Sequence, residues 1–171
     1  MTPWILACLT ALSSWLYPAE RIEPSRDLAE AIDVAAHAHP LPGDDGLPEM
    51  ARELAVLSAT EGHFAARAEG PDQFGVAFGA WQIHESTLRW MGRTPEDASD
   101  YGAGALLAAE LVARSHSVCR RREHLDALGW YASGGPGCAV PEGLAASARR
   151  VKLADRLRRE VPTVWIEPAT E

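Results

Sequence analysis

The sequence predicts a mainly α-helical, α+β single domain with about six or seven helices and a small β-ribbon lobe beside its middle. Apolar residues recur at intervals of three and four along most of the chain, between breakers rich in Pro and Gly. One stretch, residues 70–83, instead alternates large and small residues. With 171 residues, of which 47% are apolar, the chain is long enough for one domain with a sizeable core.

The first segment, residues 1–24, is interpreted as an N-terminal helix and its connector. The spacing in residues 2–17 favours an amphipathic helix of the mature domain, with its apolar face formed by Ile5, Cys8, Leu9, Leu12 and Leu16. A signal peptide or membrane-proximal segment is the alternative, although no basic residue precedes the apolar run and no clear cleavage site follows it. The run is too short to cross a bilayer comfortably, so no stable membrane insertion is expected.

Two helices follow, separated by a loop that is rich in Pro and Gly. The second helix is predicted from Arg26 to about His37, with Ser25 as its N-cap. The third begins near Pro48, and its apolar stripe consists of Leu47, Met50, Leu54 and Leu57.

Glu61 occupies the next position on the stripe of the third helix, where another leucine would be expected, and Gly62 follows as a helix terminator. Partial burial and the negative end of the helix dipole both act to raise the pKa of such a carboxyl. A carboxyl kept protonated near neutral pH can act as a general acid, so Glu61 is the principal catalytic candidate. The alternative is a solvated glutamate at a frayed helix end.

The rest of the chain is predicted to be a β-ribbon followed by helices. In the ribbon, Phe74, Val76 and Phe78 alternate with small residues that let a ligand or another backbone approach closely. A helix rich in Ala, Leu and Gly over residues 100–117 is predicted to be tightly surrounded. Further helices are predicted over residues 123–132 and 142–160. The catalytic domain is assigned to residues 25–162, and a C-terminal tail to residues 163–171.

Charge and cysteine content exclude some functions. The net charge of −8 argues against nucleic-acid binding, because no basic surplus exists to neutralise phosphates. The sequence lacks both C-x-x-C and H-E-x-x-H motifs, so no metal site and no cofactor are predicted, and a metallohydrolase is disfavoured. Cys119 and Cys138 are a candidate disulfide, with three buried free thiols as the alternative.

Three short motifs, in order, resemble the lysozyme-like superfamily, and within it the soluble lytic transglycosylase and goose-type lysozyme group. Residues 61–64, Glu-Gly-His-Phe, are similar to the family's Glu-Ser-x-Phe. Residues 79–83, Gly-Ala-Trp-Gln-Ile, are similar to its Gly-Leu-Met-Gln-Ile, and residues 130–137 to its Ala-Tyr-Asn-Ala-Gly-Pro-Gly. The chain departs from the family at Gly62, where Ser is usual, and at Ala132, where Asn is usual.

The resemblance implies a cleft between an α-lobe and the small β-lobe that binds peptidoglycan glycan strands. It implies that Glu61 is the general acid and base, that Tyr131 fixes the Glu61 carboxyl, and that Gln82 hydrogen-bonds the sugar. Further substrate-binding candidates are Phe64, Phe74, Phe78, Trp81 and Ile83, and plain core packing is the alternative for each aromatic residue. Asp72 is the best candidate for a second carboxylate, although Asp is common at turns for local reasons.

The predicted function is therefore cleavage of the MurNAc–GlcNAc β-1,4 bond by a monomeric lytic transglycosylase that uses Glu61 without a dedicated nucleophile. A lysozyme-type hydrolase that uses the same glutamate is the first alternative, and a non-catalytic glycan-binding or structural module is the second. Such an activity implies action in the periplasm or cell wall. A phage-encoded or virion-associated origin and a bacterial periplasmic origin are both compatible with the sequence.

Overall fold

A computed structural model of the chain describes residues 1–72, 75–119 and 141–163. These residues form a mainly helical α+β fold, which confirms the predicted class. The helices are α1 (Thr2–Leu16), α2 (Arg26–Ala38), α3 (Gly46–Glu61), α4 (Glu85–Trp90), α5 (Pro95–Ala98), α6 (Tyr101–Cys119) and α7 (Pro141–Glu160). The strands are β1 (Glu69–Asp72), β2 (Gly75–Phe78) and β3 (Ile83–His84), and they form one antiparallel sheet in the order β1-β2-β3. None of the described helices combines the length and the apolarity needed to cross a membrane.

The central helix of the fold is α3, which is packed against α1, α2, α6 and α7. Every residue from Ala51 to Ala59 is buried, so α3 is covered on all sides over more than two turns. The sequence predicted this environment for the helix over residues 100–117, and that prediction was wrong. In the structure α6 keeps one exposed face, which runs through Leu106, Glu110, Arg114 and Val118.

The helix predicted near the N-terminus, α1, contributes to the same core as α3. Its apolar face is buried, with Leu9 and Leu12 fully covered. The N-cap predicted for α2 is also present, because the Ser25 hydroxyl accepts a hydrogen bond from the Leu28 amide at 3.1 Å.

Two glutamate–arginine ion pairs join α3 to α7. Glu49 in the first turn of α3 pairs with Arg158 near the end of α7, and Glu61 at the end of α3 pairs with Arg150 further back along α7. The two helices therefore run antiparallel, and the carboxylates are about 18 Å apart along α3 at 1.5 Å per residue.

Glu49 makes the stability of the fold depend on pH. Burial acts to raise the pKa of Glu49, but hydrogen bonds and positive charge from Arg158 and Arg52 outweigh it and hold the pKa below its usual range. The stabilisation by this carboxylate is therefore complete above its unfolded pKa and is lost as the pH falls through the lower folded value. We expect Glu49→Gln to lower the free energy of unfolding by about 1–2 kcal/mol at pH 7 and by less at pH 3, which lies below the ordinary pKa of a glutamate. Urea unfolding at both pH values tests this, and an equal loss at both would contradict it.

The cysteines differ in state. Cys119 is disulfide-bonded, so the alternative of three buried free thiols is wrong. Its predicted partner, Cys138, lies outside the described residues. Cys8 is free and buried against the α3 side of α1. Burial raises the pKa of the Cys8 thiol to about 12, although the charge of Arg52 acts in the opposite direction.

Cys8 should therefore resist alkylation in the folded protein. At pH 8 a thiol with this pKa is about 10⁻⁴ ionised, and the thiolate is the reactive form. We expect mass spectrometry to find no carbamidomethyl group on Cys8 after brief treatment with iodoacetamide under native conditions, and complete labelling in guanidinium chloride. Rapid native labelling would show that the thiol is accessible.

Candidate active site

Glu61 is the last residue of α3, as the sequence predicted, and it lies where the helical core meets the β-sheet. Its side chain is 26% exposed, so the carboxyl is partly buried but can be reached from solvent. The Oε1 atom accepts a hydrogen bond from Nη2 of Arg150. A general acid role for Glu61 would therefore use Oε2, or would need the guanidinium to release Oε1 during the reaction.

The turn after Glu61 packs directly onto the β-lobe. Gly62 ends α3 with a φ of −107°, outside the left-handed region, and a Cβ added to it would lie 2.6 Å from the Cα of Ala80. The next two residues, His63 and Phe64, adopt left-handed backbone with φ values of 50° and 65°. Three hydrogen bonds hold this turn. The Phe64 amide donates to the Ser58 carbonyl at 2.9 Å, the Ala65 amide to the Gly62 carbonyl at 2.9 Å, and the Tyr101 hydroxyl to the Phe64 carbonyl at 2.6 Å.

Tyr17, just after α1, contacts the chain on both sides of Glu61. Its hydroxyl donates to the carbonyl of Ala59, one of the last carbonyls of α3, and its ring packs edge-on against His63 with centroids 4.9 Å apart. Burial raises the pKa of Tyr17, and of the nearby charges Arg149 lowers it while Glu20 and Glu61 raise it further. The phenol therefore stays neutral at physiological pH and remains a hydrogen-bond donor.

Gln82 holds the β-lobe together in this structure. Its amide Nε2 donates to the carbonyls of Ala68 at 3.2 Å and Gly79 at 2.9 Å, and its own backbone has a positive φ of 47°. Its Oε1 lies where a side chain at Gly70 would project. These contacts give the Gln82 amide a structural role, in addition to the sugar contact that the resemblance implies.

Three of the predicted substrate-binding residues are core residues. Trp81, Ile83 and Phe64 are 1%, 3% and 4% exposed, and the Trp81 indole donates to the Leu54 carbonyl at 3.0 Å. Phe78 is half-buried against the same core. The burial of Phe64 and Trp81 favours the core-packing alternative for these two residues.

Of the small residues of the ribbon, Ala77 and Gly79 are covered by the protein itself, whereas Gly75 is exposed and a Cβ added to it would meet no atom within 4 Å. Ala77 is buried while Val76 and Phe78 are only partly covered, and a Cβ added to Gly79 would lie 1.8 Å from the carbonyl oxygen of Ala98. At Gly79 the close neighbour is therefore another backbone, which is one of the two partners that the sequence allowed.

Several predicted site residues are not placed relative to Glu61. Tyr131, Phe74 and Cys138 lie outside the described residues. Asp72 is the last residue of β1, where its backbone pairs with Gly75.

Sequence reasoning missed Arg150, although a signal for it exists. The buried stripe of α7 runs through Ser147, Arg150, Ala154 and Leu157, at helical spacing. Arg150 thus occupies an apolar-stripe position just as Glu61 does on α3. Two opposite charges on the buried faces of two helices predict an ion pair, because an isolated charge is too costly to bury.

Comparison of the chain with models of known protein families, with curated proteins and with solved structures finds no match. The resemblance to the lysozyme-like superfamily therefore stays a prediction from the three sequence motifs.

Proposed function

We propose that this protein cleaves the β-1,4 bond between MurNAc and GlcNAc in peptidoglycan as a lytic transglycosylase, with Glu61 as its general acid and base. The observation that carries the proposal is the position of the Glu61 carboxyl. It is partly exposed and lies at the end of a buried helix, and the next residue, Gly62, packs against the turn between β2 and β3. The first two motifs that resemble the family, residues 61–64 and 79–83, meet there because Gly62 packs against Ala80, and the third motif lies outside the described residues.

The chemistry needs one carboxyl and no separate nucleophile. Protonated Glu61 gives its proton to the glycosidic oxygen, and the bond from that oxygen to the MurNAc C1 breaks. The resulting carboxylate then takes the proton of the MurNAc 6-hydroxyl as that oxygen bonds to C1, which closes a 1,6-anhydro ring and restores the acid. The rigid end of α3, held by Tyr17 and by the packing of Gly62, fixes the position of the carboxyl for both transfers.

A non-catalytic glycan-binding module is the second candidate, and the Glu61–Arg150 ion pair favours it. Glu49 and Arg158 form a comparable pair at the other end of the same two helices. In this second candidate both ion pairs have the same structural role, which is to join α3 to α7.

Analysis of digestion products tests the proposal. Purified peptidoglycan is incubated with the protein, and the soluble fragments are analysed by mass spectrometry. Fragments with 1,6-anhydro ends are the expected result, whereas reducing ends would identify the hydrolase. Co-sedimentation with peptidoglycan without any release of fragments would favour the binding module. The absence of both binding and fragments would refute the proposal. Such a substrate lies in the periplasm or cell wall, and we expect the protein to act there as a monomer.

A further inference from the structure

The guanidinium of Arg150 has one nitrogen engaged and one nitrogen without a partner. Nη2 donates to Glu61, whereas Nη1 is buried and has no hydrogen-bond partner among the described residues. The residue as a whole is 5% exposed. A buried charged donor without an acceptor is unfavourable, and such groups in folded proteins usually have a bound water or a ligand as their partner.

The unpaired nitrogen belongs to the proposed site. Both terminal nitrogens of Arg150 are bonded to the same carbon, so Nη1 lies within a few ångströms of the Glu61 carboxylate. The Glu61 side chain is 26% exposed, so a ligand can reach its carboxylate from solvent. A small rotation of the Arg150 side chain would then bring the guanidinium into contact with that ligand. Arg149, an exposed neighbour whose charge is felt at Tyr17, adds a second positive charge on this side of α7.

The ion pair limits which group of a ligand can bind here. Arg150 will release Oε1 of Glu61 readily only for an acceptor of similar strength. Carboxylates are such acceptors, because charge-assisted hydrogen bonds are about twice as strong as neutral ones and a planar guanidinium matches a carboxylate. Sugar hydroxyl and acetamido groups are weaker acceptors. The net charge of −8 gives an anionic ligand no general attraction, so a local cation has to supply it.

We infer that Arg150 binds a carboxylate of the glycan ligand and in doing so exchanges its bond to Glu61 for a bond to the substrate. This inference rests on the proposed function. In peptidoglycan the carboxylate belongs either to a peptide-free lactyl group of MurNAc or to the peptide attached to that group. Arg150 thereby couples recognition of the muramic residue to release of the acid.

Binding of three small ligands by calorimetry tests the inference. GlcNAc–GlcNAc has no carboxylate, GlcNAc–MurNAc adds the lactyl carboxylate, and GlcNAc–MurNAc-peptide carries the peptide carboxylates instead. None of them contains the bond that the proposed enzyme cuts. We expect the wild-type protein to bind at least one carboxylate ligand about tenfold or more tightly than GlcNAc–GlcNAc. Arg150→Gln should abolish this preference, whereas Arg158→Gln, which breaks the other α3–α7 ion pair, should keep it.

The outcomes separate the inference from the proposed function. If the wild-type protein binds none of the three ligands, both are refuted. If it binds them and Arg150→Gln binds each with unchanged affinity, the inference alone is overturned. A loss confined to GlcNAc–MurNAc assigns the lactyl carboxylate, and a loss confined to the peptide ligand assigns the peptide. If Arg150→Gln does not fold, Arg150→Lys decides. It keeps the charge without the planar fork, and the inference requires that it lose part of the preference.

Discussion

Replacement of Glu61 by glutamine is expected to reduce peptidoglycan cleavage by about 10²- to 10⁴-fold, the range for loss of a general acid or base. Glutamine keeps the size of the side chain and can still accept a hydrogen bond from Arg150, but it cannot exchange a proton. Because the Glu61 side chain is 26% exposed, the folded structure should survive the change. The rate of release of soluble fragments, normalised to the folded fraction from circular dichroism, measures the effect.

Glu49→Gln is the matched control for Glu61→Gln. Glu49 is also a glutamate of α3 that pairs with an arginine of α7, and its side chain is 24% exposed. If both carboxylates only join the two helices, the two variants should lose stability and keep the same activity per folded molecule. If Glu61 is catalytic, only Glu61→Gln should lose activity. Cleavage by Glu61→Gln at the wild-type rate would refute its assignment as the acid.

The local features of the fold could be predicted from sequence because they depend on neighbouring residues. The cap at Ser25, the end of α3 at Glu61 and the change to β-structure near residue 70 each follow from a few consecutive side chains. The environment of a helix depends on distant segments instead. Both α3 and α6 are rich in small residues, and only the arrangement of α1, α2, α6 and α7 around α3 makes α3 the central helix.

The candidate site likewise has local features that the sequence predicts and distant contacts that it does not. The stripe on α3 identified Glu61, because its spacing is visible in the chain. Arg150, which pairs with Glu61, and Tyr17, which bonds the nearby Ala59 carbonyl, are far away in sequence. Only the packing of α7 and α1 against α3 brings them to the end of this helix. The sequence left both substrate contact and core packing open for the aromatic residues Phe64 and Trp81, and both are buried. An apolar ring gains more from a core position than from an exposed cleft, and sequence alone does not distinguish the two.

Gly62→Ala is expected to destabilise the protein by about 2–3 kcal/mol, near the upper end for overpacking of a tight contact. A Cβ at this position would lie 2.6 Å from both the Cα and the carbonyl oxygen of Ala80. These are backbone atoms of the turn that carries Trp81 and Gln82, so no side-chain rotation relieves the clash. The φ of −107° is open to any residue, and the cost therefore comes from contact and not from backbone strain. A chain of this size should lose about 5–10 °C in melting temperature.

This prediction also separates two explanations of the glycine that follows Glu61. In a degenerated site Gly62 would be a lost serine, and Gly62→Ser would then be tolerated or would even increase activity. In this structure the backbone of Ala80 excludes any side chain at Gly62, so Gly62→Ser should destabilise at least as much as Gly62→Ala. Gly102→Ala is the control, because that glycine is an exposed residue of α6 whose added Cβ would meet only the Asp100 carboxylate, at 3.3 Å. Alanine there should be neutral or stabilising by up to about 1 kcal/mol. Thermal melts of the three variants measure these effects, and a stable Gly62→Ser protein would contradict the close contact between the end of α3 and the β-lobe.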